Sequence, residues 1–490
     1  MKYKFLLFII ALAAVSNASF AQYAKDAVRF STFQTGSTSR IKAIGNAGTA
    51  VGGDLSSISG NPAGLGYFTH SELSITPEFD GNTNKATYLG QASSATDNSV
   101  NLSNAAIVFY SRLNTPPGQD KTKGWLSLNF GMAYNRTNNF YEGVQYGAKN
   151  NTNSIADYYA KLANDLGIGS DNLQAWAFDQ KLIDAYGGGS NYTYKGNAIP
   201  GVQQVGNITR VGGQSAYDFS VGANYSNKLY LGFGFGITEL RFKSTNSFNE
   251  TGTASVLENN VAVNRNFNST YTQYQNTKGE GFNARLGIMY KILESVRVGA
   301  VITSPTFIKV DDSFSEGLKT DIANNGNFSN GPQEYPLTYN MRTPFKAAGG
   351  LSVFIGKFGF ITGDVEYVDY ASTHISSNDD YTNSYDQGII ESNYKSTVNI
   401  HTGAEIKVTD ALALRGGYAI QGSPLKTNGI ATKIATGGLG YRFANYYVDA
   451  TYVHLNGRQT ILPYDIGDTT PSAIANATNN NFFLTIGFRY

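Results

Sequence analysis

Apolar and polar residues alternate with a period of two along most of the chain after residue 70. In one stretch, Phe282, Leu286 and Ile288 alternate with Asn283 and Arg285. A period of two places these two sets on opposite faces of a β-strand. The chain contains about fourteen such runs, an even number of the kind that a single-chain transmembrane β-barrel requires. The runs lie at 72–79, 104–111, 125–134, 215–225, 228–241, 271–290, 295–303, 339–354, 358–370, 394–408, 411–421, 430–443, 446–455 and 481–490.

The connections between these runs alternate in length. Short connections lie at 226–227, 292–294, 356–357, 409–410 and 444–445, and long ones at 135–214, 242–270, 304–338, 371–393 and 456–480. Outer-membrane barrels have short turns on the periplasmic side and long loops outside, whereas a soluble β-sandwich has no reason to sort its loops in this way. The pattern predicts an all-β fold, with a transmembrane antiparallel barrel over residues 71–490.

One predicted outer loop, at about 150–190, departs from the β pattern. Apolar residues follow helical spacing between Ile155 and Leu166 and stop at Gly167. A second amphipathic helix is predicted to begin after Asp171 or Asn172 and to end at the glycines 187–189. The sequence therefore predicts a helical extracellular loop.

The composition agrees with a membrane barrel. Charged residues make up only 15% of the chain and aromatic residues 13%, whereas a soluble globular protein has about 25% charged residues. After the N-terminus, no run approaches the length of about 18 apolar residues that a membrane-spanning helix needs. A net charge of +1 argues against a nucleic-acid partner.

Residues 1–21 have the features of a secretory signal peptide. Lys2 and Lys4 precede an apolar run at 5–15, and a small-residue site ends at Ala21. Cleavage after Ala21 would leave Gln22 as the first mature residue. The chain has no cysteine, which excludes a lipoprotein anchor, disulfides and a thiolate metal site. Together with the barrel pattern, this predicts a location in the outer membrane of a Gram-negative bacterium.

A glycine-rich segment, residues 39–66, separates the signal peptide from the barrel region. It has too many glycines for an ordinary helix and is too irregular for a strand. Its most distinctive residues are Gly45, Gly48, Asn61, Pro62 and Ala63. One interpretation is a surface loop, and the other is a small plug around which the barrel closes.

This segment is where the chain resembles a known family. The order of an arginine, a glycine- and alanine-rich run, Asp54 and then Asn61-Pro62-Ala63 resembles the FadL/TodX family of outer-membrane transporters for long-chain fatty acids and hydrocarbons. The resemblance implies an N-terminal hatch, here residues 22–70, inside a fourteen-stranded barrel. It further implies passive transport of a hydrophobic small molecule, with lateral exit into the bilayer near the third strand.

Several residues are candidates for this function. Lumen-facing Arg285, Arg297 and Arg415 could hold an anionic headgroup, because a guanidinium binds a carboxylate through two hydrogen bonds. The alternative is that these arginines pair with acids such as Asp364, Glu366, Glu405 or Asp449. Gly131 in the third run could permit a kink that opens the wall, or it could only make room for a neighbouring aromatic side chain.

The helical loop supplies a second set of candidates. In the family that the chain resembles, such loops form a hydrophobic groove that takes ligand from outside. Tyr159, Leu162, Trp176 and Phe178 are the corresponding candidates here. The alternative is that the two helices bury their apolar faces on each other.

The final strand is predicted to present Phe482, Leu484, Ile486, Phe488 and Tyr490 on one face. A C-terminal aromatic strand resembles the signal that barrel-assembly machinery recognises. The other expected partners are outer-membrane lipid, including lipopolysaccharide, and the hydrophobic ligand, and the barrel is expected to be a monomer.

Other functions are less well supported by the residues. The four histidines are scattered and no nucleophile motif occurs, so the sequence predicts neither an enzyme, nor a metal site, nor a cofactor. Two alternatives to transport remain, a surface or secretion-associated structural barrel and a general porin. A hatch would exclude an open porin, and an apolar pocket between hatch and wall would favour a lipophile transporter over a surface barrel.

Overall fold

The computed structural model describes residues 21–32, 36–114, 118, 120–188, 191–259, 261–378, 380–427 and 429–490. Residues 1–20, and with them nearly all of the predicted signal peptide, lie outside this range. Five α-helices are described: α1 (Ala21–Ser31), α2 (Ser39–Ala43), α3 (Ile155–Leu166), α4 (Leu173–Asp179) and α5 (Asp380–Asn393). Short 3₁₀ helices lie at Leu55–Ile58, Pro62–Tyr67 and Tyr370–Ser372.

Strands make up most of the described chain. In chain order they are β1 (Glu72–Tyr88), β2 (Gln91–Phe109), β3 (Trp125–Asn139), β4 (Glu142–Asn150), β5 (Ile183–Gly188), β6 (Asn191–Gly196), β7 (Val202–Tyr225), β8 (Leu229–Glu258), β9 (Val261–Leu293), β10 (Val296–Thr303), β11 (Phe307–Ile322), β12 (Gly326–Arg342), β13 (Lys346–Ile355), β14 (Gly359–Asp369), β15 (His374–Ser377), β16 (Ser396–Lys407), β17 (Leu412–Gln421), β18 (Thr432–Phe443), β19 (Tyr446–Ile461) and β20 (Ala473–Arg489).

All of these strands except β5 and β6 form one closed antiparallel sheet. Four barrel strands consist of two consecutive elements each, namely β3 with β4, β10 with β11, β12 with β13, and β14 with β15, so the described chain forms a barrel of fourteen strands. The barrel closes where β1 pairs with β20, from Glu72 opposite Arg489 to Tyr88 opposite Ala473. The predicted all-β barrel is therefore confirmed, and each of the predicted runs overlaps a barrel strand.

An apolar belt covers the outside of the barrel over part of its height. On β8 the exposed side chains are Leu231, Phe233, Phe235 and Ile237, and the next outward position carries Glu239. Aromatic rings border the belt near the chain's C-terminus, where Tyr446 packs on Phe488 with ring centres 4.9 Å apart. An apolar belt with aromatic borders and polar ends is the surface that a lipid bilayer covers.

One end of the barrel has tight turns. Ser226 and Asn227, both with positive φ (56° and 53°), join β7 to β8, and Ala444 and Asn445 join β18 to β19. Both ends of the barrel sheet, Glu72 and Arg489, also lie here. We call this the turn end and the opposite end the outer end.

The outer end differs from what the loop lengths predict. The predicted loops at 242–270 and 304–338 are wrong, because β8 and β9 stay paired as far as Glu258 opposite Val261, and β11 and β12 as far as Ile322 opposite Gly326. These hairpins extend well beyond the apolar belt. Outside the bilayer both strand faces can be polar, so the alternation that identifies the membrane strands is lost there.

The helices are short. In the part of the chain that the structure describes, no helix is long and apolar enough to cross a membrane.

The closed sheet gives a direct biochemical expectation. We expect the mature protein to fractionate with the outer membrane and to migrate differently on an SDS gel before and after boiling, because closure leaves no strand edge at which SDS can begin to unzip the sheet. Recovery as a soluble periplasmic protein, with one mobility in both conditions, would contradict the barrel.

Candidate functional site

The N-terminal segment, which we define as residues 36–70, lies inside the barrel and bonds to strands around its circumference. Ser39 N donates to Thr485 Oγ1 of β20 (2.8 Å), and Thr49 N donates to Asp364 Oδ2 of β14 (2.8 Å). On the other side of the lumen, Asn129 of β3 donates to the carbonyl of Leu65 (2.7 Å). The segment is therefore held from several directions at once.

The wall facing this segment is built of residues without side chains. A Cβ on Gly417 would lie 2.2 Å from the nitrogen of Gly45, and a Cβ on Gly232 would lie 2.2 Å from the nitrogen of Ala63. Further wall glycines at which a Cβ would lie within 3 Å of the segment are Gly131, Gly222, Gly287, Gly299, Gly403 and Gly438. Because any side chain at these positions would overlap main-chain or side-chain atoms of the segment, the glycines form a socket for it.

The motif Asn61-Pro62-Ala63 sits at the centre of this contact. Asn61 accepts from the amide of Ala63 (3.2 Å), which starts the second 3₁₀ helix, and its own amide donates to Thr49 O (2.8 Å) and Ile288 O (3.2 Å). Pro62 occupies the first helical position, where no amide donor is needed. Gly45 has φ +69°, and its backbone lies against β16 and β17. Gly48 lies beside Ile41 of the same segment.

At the turn end, charged and aromatic side chains link the segment to the wall. Tyr67 stacks on Tyr230 with ring centres 3.8 Å apart. Arg297 lies between Tyr67 and Phe354, 4.4 and 4.0 Å from their ring centres, and donates to the carbonyl of Val51 (2.7 Å). These contacts fill the lumen close to the tight turns.

Ion pairs continue the same layer. Arg40 of α2 donates two hydrogen bonds to Glu405 (2.8 and 3.2 Å). Glu405 also accepts from Arg415 (2.7 Å), which in turn donates to Asp449 (2.6 Å). Arg442 completes the chain by donating to Asp449 (3.1 Å).

The three arginines predicted to bind a headgroup therefore already have partners. Arg415 is paired with two carboxylates, Arg297 is enclosed by aromatic rings, and Arg285 donates to Asp218 (2.6 Å) with its side chain buried. Their role in ligand binding stays a prediction, and their geometry matches the alternative of structural pairing.

A cavity of about 480 Å³ lies between the N-terminal segment and the wall. Carboxylates, ammonium groups, two guanidinium groups and amides line it. The charged residues that line it are Lys42, Arg136, Arg285, Lys346, Asp54, Glu78, Asp218, Asp364 and Glu366. The amides include Asn138, Asn139, Asn399, Asn479 and Asn481. The pocket between segment and wall is thus polar rather than the apolar one that would favour a lipophile transporter.

The helix α1 lies in the lumen on the outer side of this cavity. Phe30 packs edge-on against Phe140 and Phe242, with ring centres 5.6 and 5.5 Å apart. Asp26 accepts from Gln275 of β9 (2.7 Å). Asn138 donates to the last carbonyls of α1, at Arg29 (3.2 Å) and Thr32 (3.1 Å).

The wall is interrupted between β2 and β3. The two strands pair only from Asn104 opposite Asn135 to Phe109 opposite Phe130, although β2 reaches back to Gln91. Beyond Asn135 the register of β3 shifts between Arg136 and Asn138. Residues 91–103 of β2 keep their pairing with β1, and residues 136–150 of β3 and β4 keep theirs with β7, but the two stretches do not pair with each other. We call this missing ladder, across which β4 lies against β1 and β2, the wall break.

The strand that leaves the wall is held from behind by polar side chains. Asn84 of β1 donates to the carbonyl of Gly143 (2.9 Å), and Asn139 donates to Asp80 (2.8 Å). Gly131, predicted to mark the lateral gap, is itself paired with Val108 on one side and Ser220 on the other. Its missing side chain accommodates Ile58 of the N-terminal segment, so the interruption begins beyond Asn135 on the same strand.

The predicted helical loop contains α3 and α4, but the second helix is shorter than predicted, because Ile183 already belongs to β5. Of the groove candidates, Tyr159, Leu162 and Trp176 are buried in a cluster with residues of β1, β4, β8 and β9. Phe178 is 36% exposed and lies against Tyr194. Ligand binding by these four stays a prediction, since three of them face the barrel and not the exterior.

A buried polar network holds α3 on the barrel beyond the apolar belt. Glu250 of β8 accepts hydrogen bonds from the Ser154 hydroxyl, from the amide of Ile155 (3.2 Å) and from Gln204 (2.6 Å). Gln204 also donates to the hydroxyl of Tyr464 from the loop after β19 (2.9 Å). Burial raises the pKa of Glu250 to about 7, although these hydrogen bonds favour its charged form.

This raised pKa predicts that docking of α3 depends on pH. The folded pKa lies above the unfolded value of 4.5, so the stabilisation is fully present below pH 4.5 and is lost as the pH rises through 7, on the order of 3 kcal/mol in all. Hydrogen exchange of the α3 amides should therefore speed up between pH 5 and about 8. Glu250→Gln should flatten this dependence after correction for intrinsic exchange, and an equal slope in both proteins would contradict the assignment.

The fold is similar to that of several solved structures. No protein-family model matches the sequence, and no curated protein does. A FadL homologue from Pseudomonas aeruginosa matches in structure at a TM-score of 0.52 and 12% identity, and the toluene transporter TodX from P. putida at 0.53 and 11%. The toluene transporter TbuX from Ralstonia pickettii matches at 0.50 and 14%. Each alignment covers 93% of this chain and 99% of the other. The chain therefore has the fold of the FadL/TodX family, as the resemblance in its N-terminal motif predicts.

Proposed function

We propose that this protein is a passive outer-membrane transporter for hydrophobic or amphiphilic small molecules, that residues 22–70 are its hatch, and that its ligand leaves sideways into the bilayer. The solved structures of similar fold include transporters described as carrying toluene. That description supports the class of substrate and does not define it for this chain.

The observation that carries the proposal is the position of residues 136–139. Arg136, Thr137, Asn138 and Asn139 line the cavity, and they are also the first residues of β3 without a partner on β2. The cavity and the wall break therefore meet at one place. A ligand in the cavity would have a short path to the outside of the wall there.

The filling of the lumen at the turn end also favours lateral exit of the ligand. Backbone contact at the glycine socket and the layer of ion pairs and aromatic rings occupy that end of the lumen. An apolar ligand would also gain nothing by entering the aqueous periplasm, since moving from an apolar environment into water costs about 0.8 kcal/mol per CH₂ group. Release into lipid avoids this cost.

The polar lining of the cavity favours one alternative, a porin for hydrophilic solutes. A porin needs a water-filled path that continues through the barrel, and the socket contacts oppose such a path. The alternative of a surface or secretion-associated barrel predicts that blocking the wall break has no effect on small-molecule uptake. Tests of the hatch and of the wall break therefore distinguish the proposed transporter from a porin and from a surface barrel.

The hatch can be tested at Gly417, where a side chain would enter the backbone of the N-terminal segment. We expect Gly417→Val to displace residues 43–46, to increase cleavage of the segment by added protease and to raise the permeability of the barrel to small solutes. Barrel assembly should be preserved, because the sheet itself is held by pairing between strands.

The neighbouring Gly416 provides the matched control. It lies on the same strand, and a Cβ there would approach no atom closer than 4.0 Å, so Gly416→Val should behave as the wild type. Equal permeability of the two variants, with both correctly inserted, would argue against a hatch.

The lateral route can be tested with a disulfide, since the chain has no cysteine of its own. Ser99 of β2 and Asn139 of β3 face each other across the wall break, with Oγ and Nδ2 3.5 Å apart. We expect the pair Ser99→Cys and Asn139→Cys, once oxidised, to reduce uptake of labelled toluene and of a long-chain lipophile to the level of vesicles without protein. Reduction should restore uptake.

A second cysteine pair, placed between β1 and β2, serves as control. Thr83 and Thr96 lie opposite each other in the paired part of β1 and β2, with their hydroxyls 3.3 Å apart. Oxidation of Thr83→Cys with Thr96→Cys should leave uptake unchanged. If the cross-link at 99 and 139 forms but uptake persists, the ligand does not leave through the wall break.

A further inference from the structure

We propose that the ligand carries an uncharged, hydrogen-bonding headgroup, such as the hydroxyls of a monoacylglycerol, which binds in the polar cavity between the N-terminal segment and the wall. This inference rests on the proposed transport function and names its substrate class. It separates the ligand both from plain hydrocarbons and from free fatty acids.

The lining argues against a plain hydrocarbon. The cavity is lined by amides, including those of Asn479 and Asn481, and by the hydroxyls of serines and threonines. An apolar molecule would deprive these groups of water without replacing its hydrogen bonds, which is costly. A ligand with hydroxyl groups, which both donate and accept, would instead bond to them.

The charges argue against a carboxylate. Four cations and five carboxylates line the cavity, so the lining offers an added anion no surplus of positive charge. Three of the cations lie near carboxylates: Arg285 pairs with Asp218, Lys346 lies near Glu366, and Lys42 lies near Glu78 and Asp80. The fourth, Arg136, donates to the carbonyl of Gly212 (2.7 Å) and to Asn139 (3.1 Å).

Lys42 nevertheless offers donors to a neutral group. Its ammonium lies 4.4 Å from the ring centre of Phe483 on β20, and the described structure gives it no hydrogen bond. An ammonium has three N–H donors, and the amide of Asn481 lines the same part of the cavity. Donors and acceptors side by side suit hydroxyl groups, which both donate and accept.

The size of the cavity fits such a headgroup with part of its chain. At about 480 Å³, it lies within the range of about 300–1,000 Å³ that is typical of small-molecule sites. The remainder of the acyl chain could extend through the wall break toward the exposed side chains of Val100 and Leu102, which lie on the outer side of β2.

The test compares three probes with the same chain length: 1-monolauroylglycerol, laurate and dodecane. Each is measured by its ability to displace a fluorescent monoacylglycerol from the full-length protein in nanodiscs. We expect 1-monolauroylglycerol to bind about tenfold more tightly than either of the others. Equal binding of laurate would overturn the charge argument, equal binding of dodecane would overturn the argument from the lining, and no displacement by any probe would overturn both.

Variants locate the effect in the cavity. Asn481→Leu should remove most of the preference for 1-monolauroylglycerol, whereas Asn476→Leu, at an exposed position of the same strand, should leave it intact. Asp364→Asn keeps an acceptor for the amide of Thr49 but removes one negative charge, so it should tighten laurate binding selectively. Unchanged laurate affinity in Asp364→Asn would contradict the role of charge.

The two proposals fail in different ways. If the headgroup preference holds but the cross-link between residues 99 and 139 leaves uptake unchanged, the site is real and the exit route is wrong. If the cross-link blocks uptake but the three probes displace the fluorescent monoacylglycerol equally well, transport stands and the headgroup inference is overturned.

Discussion

The architecture depends on the close approach of two backbones, that of the N-terminal segment and that of the wall. A side chain on Gly232 or Gly417 would occupy the space that the segment's main chain now fills. Glycine weakens a strand, since it has the largest conformational entropy to lose and no side chain to pack. The closed sheet tolerates this cost because each glycine is flanked by paired strands, and in return the lumen narrows enough to be filled by a segment of only a few turns. These glycine contacts set the position of the segment. Further stabilisation comes from the ion pairs of Arg40 and Arg415 and from the aromatic stack around Arg297.

The membrane strands could be predicted because the bilayer imposes a period of two on their side chains, and Phe282, Leu286 and Ile288 are indeed exposed on the outer face of β9. Nothing imposes this period beyond the belt, and for that reason the long hairpins of β8 with β9 and of β11 with β12 were predicted as loops. The end of α3 at Gly167 was predictable because a local capping signal sets it, and Gly167 has φ 75° there.

The candidate site was harder to predict, because its properties belong to several strands at once. The sequence can place Arg285 on the lumen side, but it cannot show that Asp218, 67 residues earlier, accepts its hydrogen bond. The wall break is likewise a relation between β2 and β3, which Gly131 alone cannot reveal, since it lies in the paired part of β3 against Ile58. The polarity of the cavity arises from single amides and charges on many strands, none of which stands out alone.

The contacts of Ser39 have a consequence for how the molecule is assembled. Ser39 bonds to Thr451 of β19 and to Thr485 of β20, so a residue among the first to be synthesised has partners in the last two strands, 412 and 446 residues away. Contacts of such long sequence separation form slowly, since the loop they close must be ordered first. The segment at the start of the chain is thus among the last parts to reach its final place, and insertion of the sheet must proceed around a lumen whose filling is incomplete until the seam between β1 and β20 closes.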